Sequence, residues 1–215
     1  MHHAYVYEGP LSLLPALADS AKDLFNFSGE GNPDVHIYSF EKLNIDEARA
    51  LASEASFKSV SGRALYVLGA GSISHEAQQA LLKLFEEPQE GTMFVLLVPH
   101  GMLISTLRSR FVEYPKILEA EDSNLAPASK FLKSAYKERS AQIVAMLKEE
   151  EGAKERVREF VAMLEHVLHT AHTKKPSQEL RSGLSDIALV RGYLADRSAS
   201  LKMLLEHLAA TLPAL

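Results

Sequence analysis

Cysteine is absent from the 215-residue chain, so neither a disulfide bond nor a zinc site built from cysteine thiolates can form. This absence fits a reducing compartment, and we expect a cytoplasmic protein. The chain also lacks an apolar run long enough to cross a bilayer. Its N-terminus, MHHAYVYEGP, has no basic region followed by an apolar stretch, so secretion is not expected. These absences leave the class of soluble globular proteins.

A strong excess of positive charge is also missing. Residues 1–120 hold 9 Lys and Arg against 15 Asp and Glu, a net charge of −6, whereas residues 121–215 hold 14 against 13, a net charge of +1. A surface that binds duplex DNA by itself needs a positive excess. We therefore expect any contact of this chain with DNA to be shared with other chains or indirect.

Short apolar runs alternate with helical patterns over residues 63–114. ALYVL (Ala64–Leu68), which is followed by glycines expected to end it, and TMFVLLV (Thr92–Val98) are typical of strands buried on both faces. Between them, apolar residues recur at helical spacing after an N-cap at Ser72 or Ser74, and Pro88 ends that helix. The alternation predicts a parallel sheet covered by helices.

The remaining elements divide the chain into two domains, an α/β domain at residues 1–120 and an all-helical domain at residues 121–215, with the boundary at Glu119–Pro127. In the first domain we predict strands at His2–Gly9 and Asp34–Phe40, and helices at Leu11–Phe27, Ile45–Phe57 (with Asn44 as N-cap) and Met102–Arg108. In the second domain we predict five amphipathic helices that form a bundle, at Ala128–Ala135, Glu138–Glu149, Ala153–His172, Pro176–Arg197 and Ser200–Thr211.

Two motifs in the first domain resemble those of a known family. AQQALLKLFEEP (Ala77–Pro88) precedes the strand at Thr92–Val98, and TLRSRF (Thr106–Phe111) follows that strand. At this separation they resemble the NALLKTLEEP and SRC motifs of the AAA+ clamp-loader subunits of bacterial DNA polymerase III, and within that family the delta-prime type is the most similar. The resemblance covers Met1–Tyr114. It implies a parallel sheet with flanking helices, of a degenerate AAA+ or P-loop type, followed by an all-α domain that serves as an oligomerisation collar.

The residues with which this family binds and hydrolyses ATP are missing. A phosphate loop needs several glycines and a Lys followed by Ser or Thr, but the first predicted strand is followed only by Gly9 and Pro10. Gly69–Ser72 stand in place of the Walker-B carboxylates, and Pro99 and His100 in place of the polar sensor residue. The resemblance therefore implies a subunit with neither ATPase activity nor a cofactor of its own, beside a neighbour that holds ATP and magnesium.

Ser109-Arg110-Phe111 stands where the family has Ser-Arg-Cys. In that family the Arg is an arginine finger, whose planar and permanently charged fork reaches the γ-phosphate bound by a neighbouring subunit. The resemblance implies this catalytic role in trans for Arg110, with Ser109 as part of the motif. The alternative interpretation is a surface cation that is favourable near a helix C-terminus. Arg108 is interpreted as solvent-facing or phosphate-adjacent.

Other groups of polar residues are interpreted as structural. Glu86 and Glu87 are adjacent on a helix and point about 100° apart, so they cannot flank one substrate atom. His166, His169 and His172 recur at every third position and drift around the helix by about 60° per step. This drift favours a polar bundle surface, so no metal site is expected.

One functional hypothesis and two alternatives follow from the resemblance. The hypothesis is a non-hydrolysing clamp-loader subunit that assembles with ATP-binding subunits of the gamma or tau type and with a delta-type subunit, and acts on the sliding clamp and primed DNA through that complex. The first alternative is the delta type, which binds the clamp directly, although delta-type chains lack the Ser-Arg motif. The second is an enzyme or ligand-binding protein that reuses the degenerate nucleotide cleft between His75 and His100.

Overall fold

The structure of the protein, a computed structural model, describes residues 2–27, 31–57, 59–115, 122–149, 151–194, 196 and 199–215. The chain divides into two units, residues 1–120 and 121–215, and each unit has its own apolar core. The first residues of the predicted boundary segment Glu119–Pro127, as well as Arg197, lie outside the described residues. Within the described part, no helix combines the length and the apolar character that a membrane span requires.

A five-stranded parallel sheet forms the centre of the first unit. Its strands lie in the spatial order β2-β3-β4-β1-β5, and all the pairings between them are parallel. In chain order they are β1 (Ala4–Glu8), β2 (Val35–Phe40), β3 (Ala64–Ala70), β4 (Thr92–Val98) and β5 (Val112–Glu113). The inner strands β1, β3 and β4 are buried almost throughout, which explains their continuous apolar sequences.

Four α-helices flank this sheet within the described residues: α1 (Leu14–Phe25), α2 (Ile45–Glu54), α3 (His75–Glu86) and α4 (Ser105–Arg108). The N-cap predicted at Asn44 is confirmed, since its side chain accepts hydrogen bonds from the N–H groups of Asp46 and Glu47 at the start of α2. Of the two serines considered for α3, it is Ser74 that caps the helix, through the N–H of Ala77.

The second unit consists of helices, as predicted: α5 (Asp122–Lys133), α6 (Tyr136–Met146), α7 (Ala153–Lys174), α8 (Gln178–Leu194) and α9 (Leu201–Thr211). The predicted fold class, a parallel α/β sheet with flanking helices followed by an all-helical region, is confirmed. The apolar stripe predicted on α7 lies in the core of this unit, where Val157, Phe160, Val161, Leu164 and Leu168 are all buried.

Several element boundaries differ from the sequence prediction. Strand β3 continues through Gly69 to Ala70. Gly69 does not end the strand; its lack of a side chain leaves room for neighbouring side chains that pack on it. Helix α5 begins at Asp122 and contains Pro127, which was expected to precede it. A proline has no N–H and cannot donate a hydrogen bond to the carbonyl of the residue four positions earlier. For Pro127 that residue is 123, next to the start of the helix, so only the first turn is affected. The helix predicted at Met102–Arg108 is reduced to the single turn of α4.

The polar-surface interpretation of the three histidines is wrong for His166. This residue is buried, His172 is partly buried, and only His169 is exposed. The reason is the position of α7, which packs against α5, α6 and α8 and is therefore covered on more than one side. Burial on α7 extends to Glu165, whose carboxylate pairs with Arg191 at 2.9 Å.

A buried arginine joins the ends of two helices in the second unit. Arg139 is 4% exposed, and its guanidinium donates hydrogen bonds of 2.7–3.1 Å to six backbone carbonyls, those of Phe131, Leu132, Ser134, Ala209, Leu212 and Pro213. These carbonyls lie at the C-terminal ends of α5 and α9, where intrahelical partners are missing. Burial lowers the pKa of Arg139, yet the side chain stays charged at neutral pH because a guanidinium titrates far above it. Arg139 therefore holds the two helix ends together.

We predict that Arg139→Met lowers the free energy of unfolding by about 3–5 kcal/mol, because it leaves several buried carbonyls without a donor. Arg139→Lys retains the charge but supplies fewer donors, so its loss is intermediate. Urea unfolding followed by circular dichroism measures both effects. Arg181→Met, at an exposed position of α8, is the control and should change stability by less than about 0.5 kcal/mol. Equal losses at positions 139 and 181 would contradict the role of Arg139.

Candidate functional site

The segment that carries Arg110 connects β4 to β5 and is fixed by buried neighbours. Leu107 in α4 is fully buried, and Phe111 is 6% exposed. The ring of Phe111 packs against that of Phe85 near the end of α3, with 4.6 Å between ring centroids. Because apolar contacts hold the chain on both sides of Arg110, the backbone at this residue has a defined position.

A buried glutamine fixes the start of the same segment. Gln78, in the first half of α3, is 4% exposed. Its side-chain amide donates a hydrogen bond of 3.3 Å to the carbonyl of Met102 and accepts one of 2.8 Å from the N–H of Ile104. Sequence reasoning assigned no role to Gln78, since a polar residue on an amphipathic helix gives no sign of a distant backbone partner. Helix α3 thus holds the segment at two points.

The guanidinium of Arg110 is held by its own chain at the surface. Its Nε donates a hydrogen bond of 3.0 Å to Oε1 of Glu86, its Nη2 pairs with the same oxygen, and its Nη1 donates to the carbonyl of Thr106. The side chain of Arg110 is 26% exposed and that of Glu86 is 47% exposed. Arg110 therefore lies neither in the core nor free in solvent, and Glu86 is a partner that sequence reasoning missed.

The two residues that precede Arg110, Arg108 and Ser109, have structural contacts. Ser109 Oγ donates to the carbonyl of Thr106 at 3.0 Å, which is the same carbonyl that Arg110 contacts. Arg108 pairs with Glu113 in β5 and donates to the carbonyl of Phe111 at 3.3 Å. Ser109 thus closes the turn under Arg110, whereas Arg108 is engaged with the adjacent strand.

The turn after β1, where a phosphate loop would lie, leads directly into a helix. The N–H of Gly9 bonds the carbonyl of Val98 at 2.8 Å, and a 3₁₀ turn, Leu11–Leu13, then precedes α1. The side chains of Leu11 and Leu14 lie on Gly69 in β3: a Cβ at Gly69 would come within 2.7 Å and 2.9 Å of their methyl carbons. Apolar side chains therefore fill the space above the end of β3.

A carboxylate lies at the end of β1 beside this turn. Glu8 Oε2 is 3.4 Å from Nδ1 of His100, and Glu8 Oε1 accepts a hydrogen bond of 3.2 Å from the N–H of Gly101. The hydrogen bond with His100, together with the Gly101 N–H, lowers the pKa of Glu8 despite its partial burial. Sequence analysis did not identify Glu8 as a partner of His100, because the two residues are far apart in the chain and no spacing pattern relates them. The negative charge of Glu8 is unfavourable for a phosphate group at this position.

No metal centre is formed by the residues that the structure describes, since nowhere in them do three His, Asp or Glu side chains come together in a group that could hold an ion. Glu86 and Glu87, which were interpreted as structural, have different surroundings at the end of α3. Glu86 is the last residue of the helix and pairs with Arg110, whereas Glu87 is exposed at the C-cap.

The parallel sheet, the helix that carries LLKLFEEP and the adjacent Ser-Arg segment are together similar to those of clamp-loader subunits of DNA polymerase III. The family described as "DNA polymerase III, delta subunit" matches residues 17–115, which include both α3 and Arg110. The "DNA polymerase III subunit delta'" of Bacillus subtilis (strain 168) is 28% identical over 200 residues, an alignment that covers 79% of this chain and 60% of the relative. The chain is therefore similar to a delta-prime subunit, as its motifs predicted, and spans about 60% of the length of that curated relative.

Among solved structures, that of a DNA polymerase III gamma subunit-related protein from Thermotoga maritima matches this chain. The superposition covers 96% of this chain and 92% of that chain, with a TM-score of 0.48 and 13% sequence identity.

We predict that Glu8→Gln lowers the free energy of unfolding at pH 7 by about 1 kcal/mol. Because the pKa of Glu8 is lower in the folded protein than its ordinary value, the stabilisation is present above the unfolded pKa and is lost as the pH falls through the folded pKa. The difference between the two proteins should therefore be smaller at an acidic pH below the ordinary pKa of Glu than at pH 7. Urea unfolding at both pH values tests this, with the exposed Glu90→Gln as control. A difference that persists unchanged at low pH would refute the assignment.

Proposed function

We propose that this protein is a non-hydrolysing subunit of the DNA polymerase III clamp loader and that Arg110 acts as an arginine finger toward ATP held by a neighbouring subunit. The observation that carries the proposal is the placement of Arg110, whose backbone is fixed by the buried Leu107 and Phe111 while its side chain remains 26% exposed. A finger needs both properties, because it must reach another chain from a defined position.

The turn after β1 supports the absence of ATP hydrolysis by the chain itself. A phosphate loop presents several backbone N–H groups to the phosphates, whereas here Gly9 bonds to Val98 and Pro10 has no N–H. Leu11 and Leu14 pack on Gly69, and the Glu8 carboxylate adds a negative charge nearby. On this proposal the chain holds no nucleotide of its own, and ATP and magnesium belong to the neighbour.

The proposed partners are other clamp-loader subunits, of the ATP-binding gamma or tau type and of the delta type. Contact with the sliding clamp and with primed DNA would take place through the complex. The charge balance supports an indirect contact with DNA, because residues 1–120 carry a net charge of −6 and residues 121–215 only +1.

We predict that Arg110→Ala lowers kcat at the ATP site facing this subunit by about 10³, while KM for ATP changes little. The loader is reconstituted with its other ATP sites inactivated, and clamp-stimulated ATP hydrolysis is measured. Arg110→Lys keeps the charge but loses the fork, so it should restore only part of the rate. Arg49→Ala, at an exposed position of α2, is the matched control. An unchanged rate for Arg110→Ala would eliminate the finger role.

We also predict that millimolar ATP with magnesium leaves the thermal unfolding midpoint of the isolated protein unchanged, because a ligand raises the midpoint only by binding the folded state. Calorimetric titration with ATP gives an independent measurement. Saturable binding of one ATP per chain would contradict the proposed loss of the nucleotide site.

The same preparation tests the delta-type alternative, which requires direct binding of the isolated chain to the sliding clamp.

A further inference from the structure

The contacts around Arg110 single out a second residue of the site. We propose that Glu86 is a positioning residue, which orients the guanidinium of Arg110 toward the ATP of the neighbouring subunit. This inference rests on the proposed function of Arg110 and adds a residue to it. Glu86 would touch neither the nucleotide nor the reacting atoms, and would act through Arg110 alone.

Glu86 binds one edge of the guanidinium and leaves donors available. A guanidinium has five N–H donors. One N–H from Nε and one from Nη2 are directed to Glu86 Oε1, and one from Nη1 is directed to the Thr106 carbonyl. Two N–H groups, one on Nη1 and one on Nη2, remain for a partner. Arg donors bind the oxygens of a phosphate group by such charge-assisted hydrogen bonds.

An apolar contact one residue away sets the position of this ion pair. Phe85 is 1% exposed and packs on Phe111, with ring centroids 4.6 Å apart. Glu86 follows Phe85 in the chain, and Arg110 precedes Phe111. The buried aromatic pair therefore places the two charged side chains next to each other. A shift of either backbone segment would disturb both the ring contact and the ion pair.

The stability of helix α3 does not account for an acid at position 86. Glu86 is the last residue of the helix, where the negative end of the macrodipole disfavours a carboxylate. The pair that it forms with Arg110 is substantially exposed, since the side chains are 47% and 26% accessible. Exposed ion pairs contribute little to folding stability. The geometry of the pair thus points to orientation of Arg110 as the role of Glu86.

Orientation has a direct consequence for a reaction in trans. Arg has a long side chain with many rotamers, and each one that points away from the neighbour is unproductive. A guanidinium that Glu86 and the Thr106 carbonyl already hold does not need to be ordered when ATP reacts. Removal of Glu86 should therefore slow the chemical step without weakening ATP binding by the neighbour.

The test compares Glu86→Ala, Glu86→Gln and the control Glu87→Ala in the reconstituted loader. We expect Glu86→Ala to lower kcat at the adjacent ATP site about tenfold, with KM for ATP unchanged. Glu86→Gln should recover most of this rate, because its amide oxygen still accepts from Arg110. Glu87→Ala should leave the rate unchanged, and the thermal midpoints of all three variants should match that of the unsubstituted protein.

A double variant separates this inference from the proposal on which it rests. If Glu86 acts through Arg110, Glu86→Ala should cause no further loss in the Arg110→Ala background. An additional loss there, or a normal or faster rate for Glu86→Ala alone, would overturn the positioning role and leave the finger role standing. A normal rate for Arg110→Ala would overturn the finger role itself, and with it the reason to assign Glu86.

Discussion

The contact between Phe85 and Phe111 is the constraint on which the candidate site depends. Phe85 also packs edge-on against Phe94 in the central strand β4, with ring centroids 5.2 Å apart. The end of α3, the middle of the sheet and the segment after α4 are thus joined by one group of buried rings. Such contacts are close-packed, so a small displacement at one ring is transmitted to the others. The surface position of Arg110 is therefore set by the core beneath it.

The end of the sheet where a related ATPase would bind phosphate is closed by contacts of this chain with itself. Leu11 and Leu14 pack on Gly69, and Glu8 joins the end of β1 to His100 and Gly101 after β4. These contacts bury apolar surface and satisfy backbone donors. Groups near the position of a phosphate loop thus join neighbouring strands, and these contacts support the sheet that positions Arg110.

The fold was largely predictable from the sequence because its signals are local. The strand Thr92–Val98 was predicted with the observed bounds, since a continuous apolar run of β-formers ended by Pro and Gly has few other interpretations. The errors concern packing between distant segments: Gly69 was expected to end a strand, and His166 was expected at the surface. The pairs Glu86–Arg110 and Glu8–His100 were missed for the same reason. Arg110 and Glu86 are 24 residues apart, and no periodicity records a contact over that distance.

Two arginines of this chain show how surroundings decide what the same side chain can do. Arg139 is buried, and all three of its nitrogens donate to carbonyls, six in total, so no donor is left for another molecule. Arg110 is partly exposed and its contacts use three of five donors. A guanidinium that is ordered but not saturated can still bind a phosphate, whereas a saturated one can only hold its own fold together. This difference, rather than the Ser-Arg sequence alone, makes Arg110 the candidate for action on a partner.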